Sequence, residues 1–130
     1  DSSLRCWGRN YDGELGDTTT VDRLTPVSTA WFSNVVSVAA GTGNGWTCAA
    51  LADGTARCWG YGYNHSNLGG LFGAPRDPLL TIAAGVTNAV QITARGHGCA
   101  LLGDGTGKCW GWESTGPTDL TVTEVSGFIP

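Results

Sequence analysis

Methionine is absent from the sequence, lysine occurs once, at Lys108, and histidine occurs twice. No apolar run approaches the roughly 20 residues that a helix needs to span a bilayer, so a membrane-spanning helix is not expected. The single lysine and the lack of any basic tract disfavour electrostatic binding to nucleic acid. No secretory leader is visible at Asp1, so any such segment lies outside these residues.

The composition is that of a folded protein of ordinary domain size. The 130 residues include 7 basic and 11 acidic side chains, which give a formal net charge of -4. Hydrophobic residues make up 41% of the chain, which is enough for a packed core and argues against disorder. Glycine is abundant, with 21 residues.

The chain repeats itself with a period of about 51 residues. Residues 47–60 (TCAALADGTARCWG) return as residues 98–111 (GCALLGDGTGKCWG), and residues 1–8 (DSSLRCWG) match the second half of that segment. A further element, residues 34–41 (NVVSVAAG), resembles residues 88–95 (NAVQITAR). A fixed period of this length is typical of repeat architectures. The predicted units are approximately residues 1–33, as a partial copy, 34–87 and 88–130.

Each unit is predicted to consist of short strands. Runs of β-branched residues bounded by Gly and Asn occur at 35–38 and 90–92, and no window has apolar residues at helical spacing. Asp-Gly pairs at 53–54 and 104–105 predict hairpins. Short strands repeated about every 40 to 50 residues are typical of a propeller blade, which must stack on neighbours to bury both faces. The predicted fold class is all-β, with antiparallel four-stranded blades of a β-propeller.

Four of the five cysteines are predicted to form two disulfides. If the hairpin turn has three residues and Gly54 is left-handed, Cys48 faces Cys58, and the same symmetry sets Cys99 opposite Cys109. Directly opposed cysteines of an antiparallel pair lie within reach of a disulfide. The alternatives are buried free thiols of a cytosolic protein and a zinc site, although the spacing lacks the short Cys-x-x-Cys pattern.

Cys6 has no partner by this symmetry, because its opposite position would precede Asp1. We therefore expect the chain to be part of a longer protein in which Cys6 is bonded to a residue upstream of the chain. An unpaired reactive thiol is the alternative. Disulfides imply an oxidising compartment, so the predicted localisation is secreted or cell-surface.

Residues 7–17 (WGRNYDGELGD) resemble the Trp-Gly-x-Asn-x-x-Gly-x-Leu-Gly-Asp signature of the regulator of chromosome condensation repeats. Residues 35–41, 48–51 and 53–54 resemble the other half of that repeat, and residues 97–101 (HGCAL) resemble its His-Thr-Cys-Ala-Leu element. The paired cysteines resemble the exported bacterial branch of the family. The resemblance implies a seven-bladed propeller, of which this chain supplies about two and a half blades.

The sequence departs from that pattern in three places. Trp46 replaces the usual histidine, residues 59–70 carry an insertion and lack the final Asp, and Leu-Gly-Asp is missing after residues 110–111. The family includes exchange factors for a small GTPase and exported inhibitors of enzymes. The disulfides and the acidic balance disfavour the first of these roles here.

Trp7, Trp59 and Trp110 occupy one position of the repeat. Recurrence at a structural period predicts that they pack between blades rather than contact a ligand.

The remaining polar residues give no sign of catalysis. Asp12, Glu14 and Asp17 lie within six residues, but their spacing is not that of a calcium-binding loop, and a turn with an Asp capping backbone amides is predicted. His97 is at a repeat position and is predicted to be structural, whereas His65 lies in an irregular loop. No nucleophile motif accompanies them, so we expect no enzyme activity, no cofactor and no metal.

Residues 61–76 depart most from the repeat. Loops of this kind often lie on the binding face, and aromatic and Arg side chains are enriched at binding hot spots. A spacer with its own small packed cluster is the alternative. The candidate binding residues, including two tryptophans outside the repeated position, are Trp46, Tyr61, Tyr63, His65, Phe72, Arg76 and Trp112.

The predicted function is that of a non-enzymatic, exported binding scaffold that presents propeller loops to a protein partner. One alternative is a carbohydrate-binding propeller in which exposed aromatic side chains stack on sugar rings; its candidates are Trp46, Tyr61, Tyr63 and Trp112. Another alternative is a structural component of a surface assembly or fibre, formed by self-assembly.

Overall fold

The computed structural model describes residues 3–29, 33–42, 45–60, 86–95, 97–111 and 123–125. Nine strands occur in this part of the chain: β1 (Arg5–Gly8), β2 (Arg23–Ser28), β3 (Val35–Ala40), β4 (Trp46–Leu51), β5 (Ala56–Gly60), β6 (Ala89–Arg95), β7 (His97–Leu102), β8 (Gly107–Gly111) and β9 (Thr123–Val125). They form three antiparallel sheets, with strand orders β1-β2, β3-β4-β5 and β6-β7-β8-β9. The predicted all-β class is confirmed, and the third sheet has the four strands expected of a blade.

The β4–β5 hairpin has the register that its turn sequence predicts. Cys48 lies opposite Cys58, and Gly54 at the turn has φ +82°, which is the left-handed conformation that glycine adopts without strain. The Asp53 carboxylate accepts a hydrogen bond from the backbone amide two residues later, at 2.8 Å. The β7–β8 hairpin repeats this geometry between residues 99 and 109. Turn chemistry therefore fixes the register of both hairpins.

The central strand of the second sheet, β4, is buried on both of its faces. Trp46, Cys48 and Ala50 on β4 belong to the core that it shares with the third sheet. The alternate residues Ala49 and Leu51 belong to the core that it shares with the first sheet. Because side chains alternate along a strand, every residue of β4 is buried, as a blade between two neighbours requires.

Polar contacts join the second and third sheets as well. β6 packs against β3 and β4, and the Ile92 amide donates a hydrogen bond to Ser37 Oγ at 3.2 Å. The carbonyl of Gly54 accepts one from the Ala89 amide at 2.9 Å. These contacts set the blades side by side, with both hairpin turns at one end of the strands and the loop that follows β1 at the other. No helix able to cross a membrane occurs among the described residues.

Candidate functional site

Asn10, which follows β1, is fully buried and organises the loop 9–22 between β1 and β2. Its side-chain nitrogen donates hydrogen bonds to Asp17 Oδ1 at 3.0 Å and to the carbonyls of Thr19 and Val21 at 3.0 and 3.2 Å. Its Oδ1 accepts a hydrogen bond from the Leu15 amide at 3.0 Å. One side chain therefore ties together segments up to 11 residues apart in sequence.

The Asp17 carboxylate is the second centre of the loop 9–22. It accepts hydrogen bonds from the Thr19 amide at 2.9 Å, from the Thr19 hydroxyl at 2.7 Å and from Arg23 Nε at 2.7 Å. Burial acts to raise the pKa of Asp17, but the hydrogen bonds from Thr19, Arg23 and Asn10 outweigh it and lower the pKa to about 2. The predicted capping of backbone amides in this acidic turn is confirmed for Asp17.

The loop 9–22 is also docked on the second sheet. The carbonyl oxygen of Glu14 accepts hydrogen bonds from Thr47 Oγ1 at 2.9 Å and from Trp59 Nε1 at 2.8 Å. Gly16, with φ +65°, lies against the same indole: a β carbon on Gly16 would be 2.9 Å from Trp59 Nε1. A larger residue therefore does not fit between the loop and the sheet.

The outer side of the loop 9–22 presents an aromatic ring beside a cation. The exposed Tyr11 ring has the Arg9 guanidinium 5.8 Å from its centroid. Arg9 also lies 3.4 Å from a carboxylate oxygen of Asp12 and 3.7 Å from one of Glu14. The arrangement combines an exposed apolar face with a partly compensated positive charge, and nothing in it resembles catalytic machinery.

A cleft of about 470 Å³ lies between β1 and the strands β3 and β4. Most of its lining is apolar, with Leu4, Cys6, Val38 and Trp46, but Arg9 and Glu14 of the loop 9–22 also line it. No group of side chains suited to holding a metal ion occurs in the part of the chain that the structure describes. The cleft is a mainly apolar space between two sheets, with charged side chains where it meets the loop 9–22.

Trp46 is the one predicted binding residue that the structure describes. It is 7% exposed, and its indole lies so close to Gly41 that a β carbon on that glycine would overlap the ring. It lines the cleft but does not form an exposed flat surface. The other predicted binding residues lie outside the described residues and stay predictions: Tyr61, Tyr63, His65, Phe72, Arg76 and Trp112.

Both predicted cysteine pairs are joined. Cys48 and Cys58 form one disulfide, Cys99 and Cys109 form the other, and the Cα atoms in each pair are 4.0 Å apart. Cys6 is free in this structure and half-buried, and burial raises the pKa of its thiol.

The repeated tryptophans have different environments. Trp59 is fully buried under the loop 9–22, whereas Trp7 on β1 is 62% exposed. The prediction of packing between blades is therefore confirmed at Trp59, where the neighbouring loop covers the indole, and is wrong for Trp7, whose ring no described residue covers in this way. The side chain of Trp110 and that of the predicted structural His97 lie outside what the structure describes.

Sequence reasoning did not single out Asn10, Tyr11 or Arg9. Asn10 and the turn residues around it were part of the recognised repeat signature, but a signature does not say which member is buried. One pattern in the sequence does indicate a buried Asn10: an Asn that precedes a cluster of turn-forming Asp, Gly and Thr residues. The Asn side chain can hydrogen-bond to both the donors and the acceptors of such a turn.

Residues 3–46 match the family model of the regulator of chromosome condensation (RCC1) repeat. No curated protein matches the chain. Among solved structures, human WBSCR16 is 22% identical, with a TM-score of 0.75 over 95% of this chain and 32% of that one. Yeast RCC1 (Prp20), solved bound to Kap60, is 21% identical, with a TM-score of 0.62 over 86% of this chain and 26% of that one.

A further structure of Prp20p from Saccharomyces cerevisiae, described together with its binding properties to Gsp1p and histones, is 23% identical. Its TM-score is 0.63 over 85% of this chain and 27% of that one. The chain thus spans about a third or less of the length of these structures. Residues 3–46 therefore match the RCC1 repeat, and the chain shares the β-propeller fold of these solved structures.

Proposed function

We propose that this chain is part of a non-enzymatic, exported scaffold that binds a protein partner through the outer side of the loop 9–22. The observation that carries the proposal is the exposed Tyr11–Arg9 pair on a loop whose interior is held by the buried Asn10. Tyr and Arg are enriched at the centres of protein interfaces, because they bury a large area and offer directional polar contacts.

Hydrogen bonds inside the loop 9–22 favour tight binding of a partner, because they hold the loop in one conformation. Asn10 and Asp17 hydrogen-bond to backbone and side-chain groups inside the loop, and the Glu14 carbonyl accepts two hydrogen bonds from the second sheet. A loop held in this way loses little conformational freedom when a partner binds, so more of the contact energy becomes affinity.

Export is supported by the two disulfides, which persist in oxidising compartments and are rare in the cytosol. Protein binding is supported by analogy with the yeast structures, whose descriptions name Kap60, Gsp1p and histones. The carbohydrate-binding alternative has less support at Trp46, because a buried indole cannot stack on a sugar ring.

The proposal is tested by photo-crosslinking. The natural protein is prepared with the photoreactive amino acid p-benzoylphenylalanine in place of Tyr11 and exposed to the extracellular fraction of its source. A matched protein carries the label at Thr106, which is exposed at the hairpin turn on the opposite end of the strands. We expect a discrete protein adduct from position 11 and none from position 106.

Competition identifies the residues that bind. Excess unlabelled wild-type protein should abolish the adduct, whereas excess protein with Arg9→Ala and Tyr11→Ala should leave at least about half of it, since truncating hot-spot residues weakens binding severalfold or more. Equal adducts from both labelled positions, no adduct at all, or equal competition by the double variant would each overturn the proposal.

A further inference from the structure

Among the described residues, β1 lacks the preceding paired strand that its counterparts β5 and β8 have. β1 and β2 pair as β8 and β9 do, since residues 3–8 align with residues 55–60 and 106–111. However, β5 and β8 are each also paired with a preceding strand, β4 and β7 respectively. In the described part of the chain, β1 is paired only with β2, so its other edge presents backbone donors and acceptors without a strand beside them.

Cys6 lies on this incomplete strand at the position of a disulfide cysteine. Like Cys58 and Cys109, it directly precedes a Trp-Gly pair. Those two cysteines are each bonded to a directly opposed cysteine on the preceding strand. The other four cysteines of the sequence are all used in disulfides, so residues 1–130 contain no further thiol that could pair with Cys6.

The cleft of about 470 Å³ lies where that strand would be. Val38 on β3 corresponds to Ile92 on β6, because residues 34–41 align with 88–95. Ile92 is 4% exposed, since β6 packs on β3 and β4, whereas Val38 is 46% exposed and lines the cleft. Strands β3 and β4 of the neighbouring sheet cover Ile92. Val38 has the same position in its repeat, but the cleft lies where strands of a neighbouring sheet would cover it.

We propose that a cysteine-bearing β-strand of the same repeat type, from outside residues 1–130, pairs antiparallel with the free edge of β1, fills this cleft and forms a disulfide with Cys6. The sequences of β4 and β7 define its chemistry: a cysteine directly opposite Cys6, followed by small and aliphatic residues that reach the cleft. Formation of the bond removes one hydrogen from each thiol. The electrons pass to a disulfide oxidant, which is reduced to two thiols.

The environment of Cys6 fits a structural bridge better than a reactive thiol. Its side chain packs against the cluster of Leu4, Leu51 and Trp59. Burial raises the pKa of the thiol, so little thiolate is present at neutral pH to react with small oxidants in solution.

Mass spectrometry of the natural protein tests the proposal without any variant. Free thiols are alkylated under denaturing, non-reducing conditions, and the protein is digested with trypsin, which releases Cys6 in residues 6–9 (CWGR). We expect this peptide to be linked to a cysteine peptide that does not occur in residues 1–130. The Cys48–Cys58 and Cys99–Cys109 linked peptides are the internal control for preserved disulfides.

The intact mass before and after reduction then identifies the source of the strand. An increase of about two hydrogens per disulfide means that the strand belongs to the same polypeptide, and separation into two masses means that a different chain supplies it. Quantitative alkylation of Cys6, a Cys6–Cys6 linkage between two copies, or a small-thiol adduct on Cys6 would overturn the proposal.

Hydrogen exchange tests the pairing separately from the disulfide. Amides of an antiparallel strand point alternately to its two neighbours, so a strand with one open edge shows protection at every second residue. We expect all amides of β1 to exchange within about tenfold of those in β5. Fast exchange at alternate β1 amides would refute the pairing even if Cys6 were bonded.

Discussion

Replacing Asn10 by Ala should lower the free energy of unfolding by about 3 kcal/mol. The change removes hydrogen bonds to the ionised Asp17, to the Thr19 carbonyl and from the Leu15 amide. A neutral hydrogen bond contributes about 1 kcal/mol and one to a charged group about 1.5 to 3 kcal/mol, and partial entry of water offsets some of the loss. Urea denaturation with an unchanged m-value measures the difference.

Asn10→Asp gives a sharper test, because it keeps the shape and removes the donor. At neutral pH a carboxylate would face the Asp17 carboxylate, and the loss should match or exceed that of Asn10→Ala. Repulsion raises the pKa of the introduced Asp, and its protonated form can donate again, so the loss should shrink between about pH 7 and pH 4. Asn34→Asp is the matched control, since Asn34 is exposed and the change in charge is the same. A loss below about 1 kcal/mol for Asn10→Ala, or no pH dependence of the Asn10→Asp defect, would refute this account of the loop.

Three further predictions concern Asp17 and Gly16 of the loop 9–22 and the β4–β5 disulfide. Because the pKa of Asp17 is about 2 in the folded protein against an ordinary 3.8, its contribution to stability is present above about pH 4 and is lost as the pH falls towards 2. Asp17→Asn should therefore make the free energy of unfolding fall less steeply between about pH 4 and pH 2. An unchanged fall over this range would contradict the prediction. Gly16→Ala should lower the free energy of unfolding by about 3 kcal/mol in denaturant titrations, since it adds a clash with Trp59 to the strain of a positive φ. Gly13→Ala is the control for strain alone, because Gly13 has φ +80° and no atom closer than 4.0 Å, and it should cost about 1 kcal/mol. Equal losses for the two variants would refute the clash. Replacing both cysteines of the β4–β5 disulfide by Ala should cost about 2 to 3 kcal/mol, as expected for closure of a short loop, and calorimetry showing no loss would contradict it.

The fold was largely predictable because its signals are local. The Asp-Gly turns set the register of the two hairpins, and register alone placed Cys48 opposite Cys58 and Cys99 opposite Cys109. The β-branched runs that became β3 and β6 needed only the alternation and composition of a few neighbouring residues.

The candidate site was less predictable because its contacts are not local. The role of Asn10 depends on a loop that folds back over 11 residues, and the burial of Trp59 depends on a carbonyl 45 residues away. Trp7 and Trp59 share the local sequence RCWG, but the loop 9–22 covers Trp59 and leaves Trp7 exposed. Trp46 was predicted to be available for binding because it breaks the repeat pattern, but packing against Gly41 buries it.

The two sides of the loop 9–22 therefore have different contacts. On its inner side few residue types are tolerated at position 16, because the Glu14 carbonyl and Gly16 fit closely against Trp59 of the next blade. On its outer side, the Tyr11 ring and the Arg9 guanidinium do not contact Trp59 in this fit, and Tyr11 is exposed. Under the proposed function, a change of Tyr11 or Arg9 should therefore alter the partner contact while the Glu14 and Gly16 contacts keep the loop in place.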